Sequence, residues 1–551
     1  MEKIIIKNGH VYDPLNNIGG EIKDILIENG KVVDKFSNES NVKEINAKNK
    51  TVIPSALDIH THIASHQLNF VRLLGSKNHL FQDYWKGLTL NHIAQSYIKN
   101  GYTFILEANV FPSLAKTSIF DFQQLPVLDK AMLLNISNLW QLELEFQNGK
   151  IKDMATFIQD LLRKVKAFGL KAYNPFENEA EWNFFLLRED LTSKGRLYNF
   201  SALDVYENLT KCVNYLGLPH SVHAHIEGYE TEQAKTNLSI VLDKINSLNI
   251  EKNSKLKRSQ LFHLAHGSHY NIDGENTELL KIINNSDRFD LDLGIITFNP
   301  INPFISSDKH LMKKLRNEET DHKIIRYAAE FEGDNYSTLR SFKTSNPVHC
   351  KIWANAIELA LNIKDKWKIQ LTVNYPNYGD INDIPLVATW LMSTEARTKY
   401  IKDMAPEFSS KEFLIQNDQV LSFNDFIIIS RSSPAKSLGL SAIKGGLGIG
   451  TDGDVNILNI DLNEIDTNKD YEKVRNSLTN IEFVIKNGIV VKSDDKIDLN
   501  SHGKIFWSEG TTEIKDASFI LNKKKEFYQK YYSIFYKTLE TSIPNELLRK
   551  V

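Results

Sequence analysis

Residues 52–66 read VIPSALDIHTHIASH, an apolar run that ends in two histidines spaced two positions apart. Side chains alternate along a strand with a period of two, so a strand here delivers His60 and His62 to one face. Two imidazoles on one face can share a metal ion, although a His-x-His pair also arises often by chance. Its position adds weight: a β-rich segment precedes it, and an α/β region begins with it.

Downstream, short apolar strands alternate with amphipathic helical patterns: TFILEANV (103–110), AMLLNIS (131–137), GLKAYN (169–174), SVHAHIE (221–227), LFHLAH (261–266), FDLDLGIITF (289–298) and KIQLTVN (368–374). That rhythm predicts parallel strands joined by crossover helices. A doubly wound sheet fits the alternation almost as well. The polar residues decide for a (β/α)8 barrel, because they sit at the C-terminal ends of several different strands, where a barrel gathers its site.

The two ends of the chain have another texture. KIIIK (3–7), residues 11–12, DILI (24–27) and KVVDKF (31–36) are short β-type runs separated by Asn-Gly and Gly-Gly pairs, which predicts a meander of hairpins. The same pattern returns in DVNILNI (454–460) and EFVIKNGIVVK (482–492). The expected organisation is a small composite β-sandwich built from residues 1–53 and 431–500, flanking a barrel over 54–430. Residues 501–551 then form a C-terminal extension, whose aromatic-rich stretch KKKEFYQKYYSIFYKTLE (523–540) docks either on its own core or on a partner protein.

Composition bounds the function. With 42% hydrophobic and 25% charged residues, the 551-residue chain can bury a large core. A net charge of −3, with lysines interspersed among acids, gives no electrostatic footprint for nucleic acid. The start MEKIIIKNGHVYDP has charges within its apolar run, and no segment offers 18 uninterrupted apolar residues, so a cytoplasmic chain without a membrane anchor is expected. Cys212 and Cys350 alone cannot build a four-cysteine iron–sulfur site.

Two more strand ends carry histidines: His223 and His225 in SVHAHIE, then His263, His266 and His269 in LFHLAHGSH. A pair of zinc ions needs neutral imidazoles and an anionic bridge. GLKAYNP places Lys171 at a strand end between these motifs. A lysine buried beside cations is disfavoured as an ammonium, and as a neutral amine it can add CO2 to become a carbamate. A surface lysine is the ordinary alternative.

The order His-x-His, Lys, His, His on strand ends resembles the amidohydrolase superfamily. Longer segments resemble the A subunits of formylmethanofuran dehydrogenase and of the related bacterial formyltransferase/hydrolase complex: DIHTHIASHQLNFVRLL, GYTFILEANVFP, LPVLDKAMLLN, GLKAYNP, LPHSVHAHIEGYETE, NPVHCKIWANAIELALNIKD and SRSSPAKSLGLSAIKGGLGIGTDGDVNIL. The resemblance implies an α/β, metal-dependent (β/α)8 barrel with a composite β-sandwich. It also implies hydrolysis, or the reverse, of an N-formyl amide to formate and methanofuran, within a complex that includes a formyltransferase and other subunits. Carried over, it implies a binuclear zinc centre in which His60 and His62 hold one ion, Lys171 bridges as its carbamate, and His223 and His266 hold the second; His225 is the alternative to His223. Asn69 and Arg72, after the first strand, match polar positions that face substrate in the family, or else make loop hydrogen bonds.

One position departs from the family. Its Thr-Asp-His-Pro-Asn segment reads LTVNYPNYGDINDIP here, which puts Asn374 where the proton-shuttling aspartate is expected and Tyr375 where a histidine is expected. An asparagine cannot take up a proton. Asp380 and Asp383 lie farther along the loop as substitutes. Beside the enzyme, the sequence therefore leaves open a catalytically impaired scaffold within the complex, and a dihydropyrimidinase-like amidohydrolase.

Overall fold

Eight short strands rich in Leu, Ile, Val and Phe form the centre of the protein: Ala56–Thr61, Tyr102–Val110, Asp129–Asn135, Gly169–Ala172, Val222–Ala224, Phe262–Leu264, Phe289–Asp292 and Ile369–Gln370. Every residue in them is buried, as strands covered on both faces must be. They come from a computed structural model that describes residues 3–74, 88–175, 190–195, 199–250, 253, 255–256, 258–299, 302–306, 308–318, 325–329, 333–515 and 517–551.

Each strand pairs in parallel with the next, from the first to the eighth. Between the eighth and the first, individual bonds replace a regular ladder: His62 N–H donates to Tyr375 O (2.9 Å) and Thr372 Oγ1 donates to His60 O (3.1 Å). The result is the expected barrel, closed except for that seam. Helices start where the sequence caps them. Ser201 and Asp204 form a reciprocal capping box before Ala202–Leu216, and the Asn346 side chain accepts from Val348 and His349 N–H ahead of Pro347–Asn362. Alternation along the first strand turns Asp58 and His60 to one face, while Leu57 and Ile59 pack on the other with Phe104, Leu106, Ala435, Leu438 and Phe506.

After the seventh strand, a three-stranded antiparallel sheet is inserted, made of Asn302–Ser306, Ile325–Ala329 and Gly333–Arg340. It packs beside the short helix His66–Val71, with Ser337 Oγ donating to Gln67 O, and so covers the segment that leaves the first barrel strand.

The chain's two ends share one nine-stranded sheet. Thr51–Pro54 pairs antiparallel with Val455–Leu458, and the sheet buries its own core of Ile4, Ile6, Val11, Ile25, Ile27, Val52, Val455, Ile457 and Ile485. Two Asn-Gly pairs act as tight hairpin turns, with positive φ at Asn29 and Gly30 and again at Asn487 and Gly488. Asn8–Gly9 does not. Lys3–Asp13 is one continuous strand, and this pair is a register shift within it, so the runs read from the sequence as separate are joined.

The C-terminal stretch docks on its own chain. Ile505–Trp507 joins the barrel sheet at Lys130 and pairs in parallel with Leu548–Lys550. Helix Ser518–Tyr531 lies against helix Ile151–Val165, where Tyr536 Oη donates to Asp160 Oδ2 (2.6 Å) and Lys524 Nζ meets Glu145 Oε1 (2.6 Å). Among the described residues, no helix is long and apolar enough to cross a membrane.

Barrel and terminal sheet meet over a buried charge cluster. Lys444 Nζ lies 2.6 Å from Asp129, 2.8 Å from Asp452 and 2.6 Å from Asp454, and Lys486 Nζ adds a second contact to Asp129 at 2.8 Å. Three carboxylates that close would repel one another without the ammonium between them. Replacing Lys444 by Met is expected to cost about 3–5 kcal/mol in the free energy of urea unfolding, as for other buried pairs that lose one partner. A loss under about 1 kcal/mol would show the cluster to be worth no more than a surface pair.

Candidate active site

The first, fourth, fifth, sixth, seventh and eighth barrel strands all deliver polar side chains to one buried centre. His60 and His62 come from the first strand, Lys171 from the fourth, His223 from the fifth with His225 just beyond it, His263 from the sixth with His266 after it, and Asp292 from the seventh. Asn374 follows the eighth strand in a left-handed conformation (φ 46°), with its N–H donating to Thr372 Oγ1.

Asp292 is the hub. Its Oδ1 accepts from His266 N–H (3.0 Å) and lies 2.9 Å from His266 Nδ1, while its Oδ2 lies 3.2 Å from both His60 Nδ1 and His263 Nε2. Burial alone would raise its pKa, but the His266 and His263 imidazoles hold it well below the usual carboxylate range. Neither Asp292 nor its neighbour Asp290, 3.0 Å from His263 Nδ1, was singled out from the sequence. The period-two acids in FDLD, set in an apolar strand, were the available signal.

Burial keeps the site imidazoles neutral. It pushes His60, His223 and His225 well below the ordinary histidine value, and His266 to about 4 despite Asp292. Lys171 is fully buried, and desolvation lowers its amine far below the usual lysine range. At the foot of the first strand, burial lifts Asp58 to about 7, where it accepts from Tyr97 Oη (2.9 Å) and Thr372 Oγ1 (3.0 Å).

His60, His225 and His266 offer ligand atoms within 4.8 Å of one another. Four buried atoms around this point have no hydrogen-bond partner: His60 Nε2, His225 Nδ1, Lys171 Nζ and Asn374 Oδ1. Unpaired buried polar atoms are costly, so their convergence marks a place shaped for a ligand that accepts lone pairs. His62 stands at the rim, its ring 5.4 Å from that of His60 and its Nδ1 3.3 Å from Glu107 Oε1. Glu107 Oε2 also accepts from Ile63 and Ala64 N–H at 2.7 and 2.8 Å, which fixes the turn after the strand.

The remaining sequence candidates lie elsewhere. His223 sits one layer deeper than His225, with its Nδ1 3.1 Å from His220 Nε2 and its Nε2 2.9 Å from His60 Nδ1. Asn69 and Arg72 bond to each other at 2.5 Å, and Arg72 also donates to Leu88 O. Asp383 Oδ2 is taken by Thr297 and Asn299, and Asp380 accepts from Asn382. His269 pairs with Glu230 (2.8 Å), which Arg340 grips through both terminal nitrogens.

His263 faces two carboxylates; burial opposes its charge, but Asp290 and Asp292 raise it to about 9. Its stabilising contribution is therefore complete below its unfolded value of about 6.5 and lost as pH rises through about 9. The unfolding midpoint of the metal-free chain is expected to fall across that window, and the fall to flatten in His263→Gln.

A family model described as amidohydrolase family matches residues 348–492. Protein FwdA of Methanocaldococcus jannaschii is 27% identical over 555 residues, covering 96% of this chain and 95% of that protein. The A subunit of the formyltransferase/hydrolase complex Fhc of Methylorubrum extorquens is 25% identical over 552 residues, covering 95% of this chain and 93% of the relative. A crystal structure of the FhcABCD complex from Methylorubrum extorquens with methylofuran contains a chain that superposes with a TM-score of 0.86 at 22% identity, over 100% of this chain and 99% of that one, so the fold is shared. The chain belongs to the amidohydrolase superfamily, among the A subunits of formylmethanofuran dehydrogenase and of the formyltransferase/hydrolase complex.

Proposed function

We propose that this chain is the hydrolase component of a formyltransferase/hydrolase-type complex, cleaving or forming the N-formyl amide of a methanofuran-type carrier. The observation that carries the proposal is the convergence of His60 Nε2, His225 Nδ1, Lys171 Nζ and Asn374 Oδ1, buried and unpartnered, at the mouth of the barrel. Nitrogen donors with a neutral lysine able to become a carbamate suit zinc. We assign His60 and His62 to one ion, Lys171 as carbamate to the bridge, and His225 with His266 to the second. His225 replaces His223 in this assignment because both nitrogens of His223 are engaged deeper in the barrel.

Zinc bound there supplies Lewis-acid polarisation of the formyl carbonyl and a water that ionises near neutral pH. The chain's own residues do the rest. Glu107 accepts from His62 Nδ1, leaving Nε2 of that ring with its lone pair, and Asp292 does the same for His266. Asn374 Nδ2 lies 3.0 Å from His266 Nε2 and can orient a substrate carbonyl by hydrogen bonding, but an amide cannot carry the proton to the leaving nitrogen.

That last point also favours a second reading, a scaffold with reduced turnover. Asn374→Asp separates the two: if the asparagine limits a hydrolase, formate release is expected to rise by about 10²–10⁴-fold. A rate unchanged by that substitution, with the metal sites filled, supports the scaffold. The primary test is the assembled complex loaded with zinc and given the N-formylated carrier. Formate release with about two zinc per chain is expected; a zinc-replete complex that releases no formate while its formyltransferase works sinks the hydrolase reading.

A further inference from the structure

Beneath His60, a line of hydrogen bonds runs down the barrel with a fixed direction. Its lower end is the backbone carbonyl of Ser437, which can only accept, and His220 Nδ1 lies 2.9 Å from it. His220 therefore carries its proton on Nδ1 and a lone pair on Nε2. His223 Nδ1, 3.1 Å from that lone pair, must donate, which leaves His223 Nε2 as an acceptor. His60 Nδ1 then faces two acceptors, His223 Nε2 at 2.9 Å and Asp292 Oδ2 at 3.2 Å. Its proton sits there, and the lone pair is left on Nε2, the buried unpartnered atom at the candidate metal centre.

We propose that the Ser437 carbonyl, His220 and His223 form a tautomer relay, in which His220 and His223 are positioning residues that hold the ligand nitrogen of His60 unprotonated and aimed at the metal. The inference rests on the zinc reading above and assigns the part of the histidine cluster which that reading leaves without a role. His220, His223 and His263 also offer ligand atoms within 4.8 Å of one another, as a deep three-histidine metal group would. The relay accounts for them better. His263 meets carboxylates at both nitrogens, at 3.0 and 3.2 Å, so it presents N–H groups where a metal needs lone pairs.

The test is chelator competition for zinc on the full-length chain, with folding followed by circular dichroism. His220→Phe keeps the ring shape but removes the acceptor, and is expected to weaken zinc binding about 10–100-fold, the usual effect of losing a partner behind a ligand. His220→Gln, whose Oε1 replaces the acceptor Nε2, is expected to restore most of the affinity, which a purely space-filling role would not produce. In metal-free wild type labelled with 15N-histidine, His220 and His223 are expected as Nδ1–H tautomers, a measurement that decides the matter even where His220→Phe does not fold. Unchanged zinc affinity in folded His220→Phe, or an Nε2–H tautomer at His223, overturns the relay while leaving the zinc site standing. A further zinc equivalent per chain that vanishes in His220→Phe overturns it in favour of the deep metal group. A wild-type chain that binds no zinc removes the site reading and the relay together.

Discussion

A single buried carboxylate organises the centre of this protein. Asp292 lies within 3.2 Å of His60, His263 and His266, so three strands of the barrel are tied through one anion with no access to water. Burying a charge is tolerable only when it is paired and hydrogen-bonded, and here the pairing also dictates which nitrogen of each ring bears its proton. His263, facing a second carboxylate in Asp290, carries the compensating positive charge. His266 turns its Nδ1 downward to Asp292 and its Nε2 toward Asn374. Geometry and electrostatics of the mouth thus follow from a residue that never reaches it.

Much of this was legible in the sequence. A period of two places His60 and His62 together, and the alternation of strands with helices, punctuated by polar strand ends, leads to a barrel whose fourth strand contributes Lys171. The two Asn-Gly turns of the terminal sheet were legible for the same local reason, since positive φ at successive residues has few sequence solutions. Asn8–Gly9 has the same composition and a different outcome, because pairing on both sides of Lys3–Asp13 carries the strand through it.

Depth along the barrel axis was not legible. His223 and His225 share a face and differ by two residues, about 6.6 Å along a strand. Which of them reaches the mouth depends on the stagger of neighbouring strands, set here by His223 pairing with Lys171 on one side and His263 on the other. Nothing local to SVHAHIE encodes that stagger. Asp290 and Asp292 were overlooked for a related reason: an acid in a strand reads as solvent-facing until the fold shows cations stacked behind it.

The terminal sheet carries a consequence for how the chain is made. Thr51–Pro54 finds its partner in Val455–Leu458, roughly 400 residues later. At ordinary synthesis rates the N-terminal strands wait about 20–80 s for that partner to emerge. During the wait, the edge of Thr51–Pro54 and the apolar residues that will face Val455, Ile457 and Ile485 are open to other chains. The N-terminal third of the nascent protein is therefore its most aggregation-prone stage and the place where a chaperone has most to protect.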